Sequence, residues 1–420
     1  MKISKYNLIK KYAENVLIYN AFSKASIFLE KNADVSFIED IDNFNKLNVR
    51  EKKMLYENGF IVDDDRDEFS EIKYIYEQKF FETDFFNIIL VPSLACNFKC
   101  PYCCEKGYSC GKENIKKYFA VLKKYAEKNF QIHNHVQISL FGGEPLLFVD
   151  ECLEFLNWVK NDSNIKNYEY FTSIVTNGSL LTESILVKLL QHNLYALQIT
   201  IDSDKENHDT MRIFKNGAPS FDFLIDKINT LVPLTTNLEN FKFILRINLN
   251  NTNVDKIKCT LEQINKNTRK HIYLMFRIIY NTHSYKEQNL NNITELKPYF
   301  EIGDNLGFNV LREKYNYQSC EACGDRKMFY LMPDLSIWKC INDIGYTDAC
   351  IGKIDNNGKI ILKPERVIAW YKSCMSAFAD PECIKCKMLP DCFGGCPLYK
   401  CKNGAKSCRS FDMASLPYTF

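Results

Sequence analysis

Three cysteines lie close together on one short loop, at Cys96, Cys100 and Cys103, in the run LACNFKCPYCCEKG. Their C-x3-C-x2-C spacing can supply three thiolates to a 4Fe–4S cluster, which leaves the fourth iron without a protein ligand. A C-x2-C pair alone would suggest zinc or a redox thiol pair, and buried free cysteines would need no metal. The tight triple without a nearby histidine favours a cluster whose open iron is available for chemistry. Tyr102, after the helix-breaking Pro101, is expected to bring an aromatic ring beside it.

A second motif, GGEP at residues 142–145, follows an alternating stretch at 136–141 that is typical of a buried strand. Gly142 and Gly143 allow the backbone to approach a ligand closely. The carboxylate of Glu144 can accept a hydrogen bond from an ammonium group. Taken alone, the motif is also an ordinary turn. Its position at a strand end, downstream of the cysteines, favours a binding role.

Together, the cysteine triple and GGEP resemble the radical S-adenosylmethionine (SAM) enzymes. The resemblance implies that the open iron binds the amino and carboxylate groups of S-adenosylmethionine. It implies that an electron from the cluster splits the sulfonium and yields a 5′-deoxyadenosyl radical, which takes a hydrogen atom from the substrate. Cys96, Cys100 and Cys103 would then be the catalytic residues, and Glu144 would accept the methionyl ammonium group.

Two later strand ends resemble the same family. Thr176 and Asn177 belong to a TNG turn that resembles one near the S-adenosylmethionine ribose, although Asn-Gly is also a common turn. Thr200 and Asp202 resemble a segment that usually ends in Ser-Leu-Asp-Gly, and here Ser203 replaces the glycine. The hydroxyl and the carboxylate are kept, so the resemblance still implies a ribose contact.

A charged stretch follows, HDTMR at residues 208–212, which resembles the family's HD-x-x-R sequence. Arg212 or Arg246 is a candidate partner for the methionyl carboxylate. An exposed ion pair is the alternative for either guanidinium.

The C-terminal region holds a second group of cysteines, with the spacing C-x2-C-x5-C-x3-C over residues 383–396. Such pairs also bind structural zinc, but the catalytic triple on the same chain favours iron. With the upstream hairpin and the run GGCP, the pattern resembles the SPASM domain, which holds two auxiliary 4Fe–4S clusters. The resemblance implies one cluster on Cys323, Cys340 and Cys396, with Cys320 as candidate fourth ligand, and another on Cys383, Cys386, Cys392 and Cys408.

Two features of this region depart from the SPASM pattern or compete with it. Leu335 stands where the pattern has a glycine in the hairpin turn, and Asp334 is expected to make the turn instead. Cys401 competes with Cys408 for the last ligand position, but it follows Cys396 too soon to match the spacing well.

Strands and helices alternate from about residue 86 to 305, which predicts an α/β fold, a partial (β/α)6 TIM-like barrel. Strands are expected at 88–94, 136–141, 170–176, 195–201, 241–248 and 271–279, and helices at 113–129, 149–160, 182–192, 220–232 and 253–266. In such barrels the chemistry lies at the C-terminal strand ends, where the cysteine triple, GGEP, the TNG turn and the segment from Thr200 to Asp202 fall. The predicted domains are 1–85, 86–305 and 306–420, the last being the cysteine-rich SPASM domain.

Residues 1–85 contain no cysteine. A hairpin is expected over 16–20 and 25–29, helices over 35–44 and 49–58, and a strand over 60–62, which together resemble a winged-helix-like module. Peptide-modifying members of the family often begin with such a module, which holds a leader peptide along a sheet edge. A packing extension that caps the barrel is the alternative, and the sequence leaves both open.

Composition narrows the functional classes. The chain has 420 residues, 46% of them hydrophobic, with a net charge of +2. That balance gives no electrostatic case for nucleic acid or a membrane surface, and neither a long apolar run nor a signal sequence is present. We therefore expect a cytoplasmic protein, in which 18 cysteines indicate metal rather than disulfides.

The expected function is that of a radical SAM peptide maturase, which forms thioether crosslinks in a small precursor peptide and takes electrons from a reduced flavodoxin or ferredoxin-type donor. The alternative is an anaerobic sulfatase maturase, which oxidises cysteine or serine to formylglycine. Those enzymes typically carry an aspartate directly after the cysteine that ends the SPASM hairpin, whereas Ile341 follows Cys340 and the nearest aspartate is Asp343. A non-catalytic electron-transfer or metal-storage protein is a third hypothesis, which the open-site triple and GGEP disfavour.

Overall fold

The structure is a computed structural model that describes residues 1–12, 14–81, 85–103, 112–129, 135–161, 169–249, 252–278, 296–312, 328–344 and 347–404. Three expected cluster ligands, Cys320, Cys323 and Cys408, lie outside the described residues. The chain divides into two compact units. The larger contains residues 83–314 and 327–366, and the smaller contains residues 1–82 and 367–413. The division into three consecutive domains stays a prediction.

The described strands are, in chain order, β1 (Lys2–Ile3), β2 (Asn7–Lys11), β3 (Asn15–Asn20), β4 (Ser26–Glu30), β5 (Ile61–Val62), β6 (Phe85–Leu90), β7 (His135–Leu140), β8 (Glu169–Thr176), β9 (Leu194–Asp202), β10 (Lys242–Leu249), β11 (Ile272–Ile278), β12 (Asn309–Val310), β13 (Phe329–Leu331), β14 (Ser336–Trp338), β15 (Gly352–Ile354) and β16 (Ile360–Leu362).

The described helices are α1 (Ile41–Asn45), α2 (Val49–Glu57), α3 (Glu68–Phe81), α4 (Lys112–Asn129), α5 (Val149–Asn161), α6 (Glu183–Leu190), α7 (Lys205–Met211), α8 (Phe221–Leu231), α9 (Val254–Glu262), α10 (Lys297–Asn305), α11 (Pro364–Met375), α12 (Pro381–Lys385), α13 (Leu389–Cys392) and α14 (Pro397–Asn403). None of the helices within the described ranges combines the length and apolarity that a membrane span needs.

The larger unit is built on one sheet with the strand order β12-β11-β10-β9-β8-β7-β6-β13-β14-β15-β16. Strands β6 to β11 run parallel and confirm the six strands of the expected barrel. The first of them ends at Leu90, earlier than expected. The amide of Val91 instead donates to Tyr118 Oη at 3.2 Å and to the Leu331 carbonyl at 3.3 Å, so the chain leaves the β6–β7 ladder and enters the cysteine loop.

The helices pack on this sheet through stripes that the sequence predicts. Helix α4 buries Ile115, Phe119, Leu122 and Ala126, each less than 10% exposed, on the face that follows the 3.6-residue period. These side chains belong to one apolar core with the buried positions of β7. The burial of these side chains supplies the main stabilisation of a barrel of this kind.

The hairpin β13–β14 continues the barrel sheet, because β13 pairs with β6 in parallel. The hairpin predicted before Cys340 is therefore confirmed. In its turn, Asp334 Oδ1 accepts the Ser336 amide at 2.9 Å, as expected. Leu335 adopts the left-handed conformation with φ of 65°, the backbone geometry for which glycine is otherwise preferred.

In the smaller unit, the antiparallel sheet has the order β2-β3-β4, and its hairpin β3–β4 confirms the sequence prediction. Strand β2 and helix α3 were not expected. The apolar stripe of α3 is blurred by Tyr74, Ile75 and Phe81, which are exposed. These additions give the module three strands in its sheet and a third helix.

Helix α3 also connects the two segments that make up the smaller unit. Phe80 lies with its ring centroid 5.2 Å from that of Trp370, and Tyr76 stacks on Phe393 at 4.7 Å. The Tyr76 hydroxyl donates to the Cys374 carbonyl at 3.2 Å. The N-terminal module and residues 367–404 thus share one apolar interior.

Candidate active site

The cysteine loop begins directly after β6 and is tied to the segment that follows α7. Lys99 N donates to the Ile213 carbonyl at 3.0 Å, and Lys215 N donates to the Asn97 carbonyl at 2.8 Å. The rings of Phe98 and Phe214 meet edge to face with centroids 4.6 Å apart. Contacts within the protein therefore fix the backbone of the cysteine loop, and the loop does not depend on a bound group for all its contacts.

Cys96, Cys100 and Cys103 are all partly buried on this loop. Burial raises the pKa of Cys96, and it raises the pKa of Cys100 to about 11. Without a positive group these side chains would stay protonated at neutral pH. A cluster's irons supply that charge and bind thiolates.

The donor set is consistent with an iron–sulfur cluster. Among the described residues, no three His, Cys, Asp or Glu side chains converge on one ion position. Thiolates that ligate a cubane bind separate irons and need no common point. Three thiols on one loop therefore match the expected cluster with an open iron.

The two glycines of GGEP allow a close contact within the protein itself, and their expected approach to a ligand stays a prediction. A Cβ on Gly143 would lie 2.3 Å from the Ala95 carbonyl oxygen, and one on Gly142 would lie 2.6 Å from the Ser93 carbonyl oxygen. Gly143 N donates to that Ser93 carbonyl at 3.0 Å. The glycines thus allow the motif to lie against the backbone that leads into the cysteines.

Glu144 is fully buried, and its side chain joins the ends of two strands, β7 and β8. Its Oε1 accepts from Leu146 N at 3.0 Å and from Thr176 Oγ1 at 2.7 Å, while Oε2 accepts from Asn177 N at 2.7 Å. Burial raises the pKa of this carboxyl group, and the three donors oppose that shift. Since a carboxylate accepts about four hydrogen bonds, Oε2 retains one lone pair for a further donor.

Asn177 links the TNG turn to the cysteine loop. Its Nδ2 donates to Asn97 Oδ1 at 2.8 Å and lies 3.5 Å from Cys96 Sγ. Its Oδ1 accepts from Ser179 N and Ser179 Oγ at 2.9 and 2.6 Å. Asn97 and Ser179 were not singled out from the sequence, although the position of Asn97 inside the cysteine run was a usable signal.

Tyr102, Asp202 and Arg212 form a buried polar group together with Asn248, which the sequence reading missed. Tyr102 Oη accepts from Arg212 Nη1 at 2.9 Å and from Asn248 Nδ2 at 3.3 Å, and Asn248 Nδ2 also donates to Asp202 Oδ1 at 2.8 Å. Burial raises the pKa of Asp202, and Arg212 opposes that shift. Arg212 therefore lies inside the site and not in an exposed ion pair.

Arg246 reaches the same group through Asn248, to whose Oδ1 its Nε donates at 2.8 Å. Arg246 is paired in the β9–β10 register with Thr200, which is buried. Ser203, in place of the family glycine, adopts a left-handed φ of 46°. Ser203 thus keeps the backbone conformation that the family pattern gives to glycine, although this conformation is less favourable for serine.

His208 and Asp209 support this group instead of entering it. His208 Nδ1 accepts from Asp202 N at 3.1 Å, so its Nε2 carries the proton that faces Ser220 Oγ at 2.9 Å. Asp209 Oδ1 accepts from the amides of Ser220 and Phe221, both at 2.9 Å, at the start of α8. Burial lowers the pKa of His208 far below its usual value, so the ring is neutral.

The tail cysteines lie on short helices of the smaller unit. Cys383 is buried, Cys386 is exposed, and Cys392 and Cys396 are partly buried. Between the last two, Phe393, Gly394 and Gly395 adopt left-handed φ angles of 46°, 74° and 81°. The sequence GGCP is therefore needed for a tight reversal between two expected ligands.

Cys401 faces a different environment. Its Sγ lies 3.1 Å from Ser373 Oγ, and it packs against the apolar cluster of Phe80, Trp370 and Cys374. The choice of Cys408 over Cys401 as the last ligand stays a prediction, since Cys408 lies outside the described residues. Cys340 lies in the larger unit, at the end of the hairpin.

Comparison with known proteins agrees with this geometry. Residues 90–247 match the family model described as Radical SAM superfamily. The chain is 27% identical over 341 residues to a cysteine-type anaerobic sulfatase-maturating enzyme of Clostridium perfringens, an alignment that covers 74% of this chain and 88% of that protein. It is 26% identical over 418 residues to the radical SAM cyclopropyl synthase TigE of Paramaledivibacter caminithermalis, covering 93% of this chain and 81% of TigE.

Two solved structures have the same fold. Native anSMEcpe with bound AdoMet superimposes with a TM-score of 0.52 at 19% identity, over 74% of this chain and 88% of that one. Streptococcus suis SuiB bound to S-adenosylmethionine superimposes with a TM-score of 0.50 at 16% identity, over 96% of this chain and 97% of that one. The second match extends over nearly the whole of both chains.

Proposed function

We propose, from the premise that this chain carries a radical SAM domain, that it modifies a ribosomally made precursor peptide by joining a cysteine sulfur to a carbon atom. When bound, the cluster on Cys96, Cys100 and Cys103 supplies the electron that cleaves S-adenosylmethionine, and thereby the radical that abstracts hydrogen. One thioether removes two hydrogen atoms from the peptide. The 5′-deoxyadenosyl radical would take one from the carbon, and the cysteine thiol would lose the other as a proton when its sulfur bonds to that carbon, with the remaining electron passing to an auxiliary cluster.

The chain's own residues have groups suited to S-adenosylmethionine. Glu144 Oε2 accepts one hydrogen bond, from Asn177 N, which leaves a lone pair on this oxygen for another donor. We assign that lone pair to the methionyl ammonium group. Arg212 Nε is buried and has no hydrogen-bond partner among the described residues. We assign this N–H to the methionyl carboxylate, since a buried donor is costly when left unsatisfied.

The observation that carries the peptide assignment is the three-stranded sheet of the N-terminal module, which ends in the edge strands β2 and β4. An extended leader peptide can add to such an edge through main-chain hydrogen bonds. A solved structure of SuiB, which is described as bound to the precursor peptide SuiA, also supports a peptide substrate. TigE and SuiB also align over more than 90% of this chain, which includes the module.

Proline substitutions at the two edges test the clamp. Asn20 N bonds to Ala25 O, and Tyr12 N bonds to Asn15 O. By the alternation of an antiparallel ladder, the amides of Ser26 and Ile9 therefore point away from β3. Ser26→Pro and Ile9→Pro each remove one outward donor without breaking a bond to β3.

The binding of a labelled leader peptide to the intact chain is the measurement. The variant at the occupied edge should bind about fivefold more weakly, because it has lost about 1 kcal/mol of main-chain hydrogen bonding, and the other variant serves as its control. Equal affinity of both variants and the parent protein would rule out a leader clamp in this sheet.

Mass spectrometry of the treated precursor tests the bond. A thioether predicts the loss of two hydrogens together with a cysteine that no longer reacts with an alkylating reagent. A carbon–carbon ring, the product type in the name of TigE, would also remove two hydrogens but leave the cysteine reactive. The alkylation result thus decides between the two bonds.

A second candidate is formylglycine formation in a sulfatase, which is favoured by the similarity to the C. perfringens enzyme. Asp343, in the turn after Cys340, is the nearest carboxylate that follows the hairpin in the chain. Incubation with a peptide that contains a sulfatase cysteine site should yield an aldehyde if this candidate is right. An aldehyde, with the precursor peptide left unmodified, would replace the first proposal by the second.

A further inference from the structure

Lys400 is a buried cation in the smaller unit. It lies on α14, four residues after Cys396, and is 7% exposed. Its Nζ donates to Ser376 Oγ at 3.0 Å and to the Phe393 carbonyl at 3.4 Å. A Cβ on Gly394 would lie 3.1 Å from this Nζ, so the glycine leaves room for the ammonium group.

The hydrogen bonds of Lys400 go only to neutral oxygens within the described residues, and no carboxylate pairs with it there. Burying an ammonium group without an opposite charge is costly, and such groups are normally paired. Burial lowers the pKa of this ammonium group, and the thiols that oppose the shift are those of Cys374, Cys383, Cys392 and Cys396. The missing negative charge is therefore to be sought among the cysteines.

The cysteines around Lys400 include two expected ligands of one cluster, Cys383 and Cys392. Four thiolates on a 4Fe–4S core leave a net negative charge, which becomes larger by one when the cluster is reduced. A cation in a low-dielectric position therefore stabilises the reduced form more than the oxidised form.

We propose that Lys400 is the countercharge of the auxiliary cluster on Cys383, Cys386 and Cys392 and raises the reduction potential of that cluster. The proposal rests on the predicted assignment of these cysteines to a cluster within the proposed function. It makes Lys400 a positioning residue for electron transfer and not a ligand. It does not depend on which peptide is modified or which bond is formed.

The potential of the auxiliary clusters tests the proposal in full-length protein whose catalytic triple is replaced by alanine, so that the auxiliary clusters alone contribute to the spectra. Lys400→Met removes the charge and keeps most of the volume, Lys400→Gln keeps a hydrogen-bond donor, and Lys400→Arg keeps the charge. Lys372→Met, at an exposed position on α11 of the same unit, is the matched control for a lost charge.

At a fixed solution potential, both neutral variants should show a reduced-to-oxidised ratio at least about tenfold lower for one cluster. For a one-electron couple this corresponds to about 59 mV. Lys400→Arg and Lys372→Met should stay near the parent ratio. Electron paramagnetic resonance during a redox titration gives the ratio without any catalytic turnover.

Three outcomes would overturn the proposal. They are no difference between the neutral variants and Lys372→Met, a shift in Lys400→Arg as large as that in Lys400→Met, and an equal loss of iron from all three Lys400 variants. Loss of iron from both neutral variants, with full iron in Lys400→Arg, would support it, because the charge would then be needed to hold the cluster. Failure of the peptide assays would not affect these readings, since no peptide is present.

Discussion

At the scale of single residues, Glu144 combines two roles that sequence motifs cannot separate. It accepts three hydrogen bonds from its own chain, and it has one lone pair left for a ligand. A substitution at this position therefore changes the fold and the proposed ligand site together. A neighbouring variant is needed to separate the two effects.

Glu144→Ala should weaken S-adenosylmethionine binding by tenfold or more, because a charge-assisted hydrogen bond contributes roughly 1.5–3 kcal/mol. It also leaves the buried amides of Leu146 and Asn177 without an acceptor. Thr176→Val removes one neutral donor to the same carboxylate and should lower thermal stability with a smaller loss of affinity than Glu144→Ala. Affinity measured by calorimetry at equal iron content gives the comparison. Equal losses in both variants would mean that Glu144 acts only through the fold.

His208 predicts a dependence of stability on pH. Burial keeps its folded-state pKa well below the unfolded value of about 6.5. As the pH falls below about 6.5 the unfolded chain takes up a proton that the folded chain does not, so stability is full above that pH and declines below it. The decline is at most about 1.4 kcal/mol per pH unit.

Urea unfolding between about pH 7 and about pH 5.5 measures this slope. His208→Gln, which cannot titrate, should have a shallower slope than the parent protein at equal iron content. Identical slopes would show that His208 is not the group that destabilises the fold in acid.

At the scale of elements, the sequence predicts what depends on local periodicity. The barrel strands and the stripe of α4 follow from patterns of two and 3.6 residues. The role of Gly143 does not, because the Ala95 carbonyl that it avoids comes from a loop distant in sequence. For the same reason Asn248, which reaches Tyr102 only after β9 and β10 pair, had no local signal.

Gly143→Ala tests whether the GGEP loop supports the cysteine loop. The new methyl group would overlap the Ala95 carbonyl oxygen, so either the cysteine loop or GGEP must move. We expect the protein to lose iron from the catalytic triple, about four atoms per chain. Gly217→Ala is the control, because nothing lies within 4 Å of its new Cβ, even though Gly217 has a positive φ of 89° that Gly143 lacks. Full iron in Gly143→Ala would contradict the tight approach.

At the scale of the whole molecule, the three expected clusters predict an iron content that can be measured. The anaerobically reconstituted protein should hold about twelve irons, four in each cubane. Replacement of Cys96, Cys100 and Cys103 by alanine should remove about four and leave the tail clusters. Iron and zinc analysis of both proteins decides this. Stoichiometric zinc, or the loss of all iron from the variant, would contradict three independent clusters.

The shared interior of the smaller unit predicts that its two segments cannot be separated cleanly. Phe80→Ala removes a ring that is 1% exposed and packs on Trp370, at a cost of about 3–5 kcal/mol. We expect the variant to lose iron from the tail cysteines while the catalytic triple keeps its own. Phe81→Ala, at an exposed neighbouring position, is the control. Full iron in the Phe80 variant would show that the tail holds its cluster independently of α3.

The construction of the smaller unit from both ends of the chain also affects the order of events during synthesis. The ribosome releases α3 early, but Trp370 and Phe393 follow only after every strand of the barrel has been translated. Until then the rings of Tyr76 and Phe80 lack the aromatic side chains that pack on them in the folded protein. Exposed apolar surface of this kind attracts chaperones. Iron at the tail must therefore be inserted after the barrel strands and α11 have been translated. A chain that stalls before α11 would carry the catalytic cysteines and an uncovered helix, and would be a substrate for proteolysis.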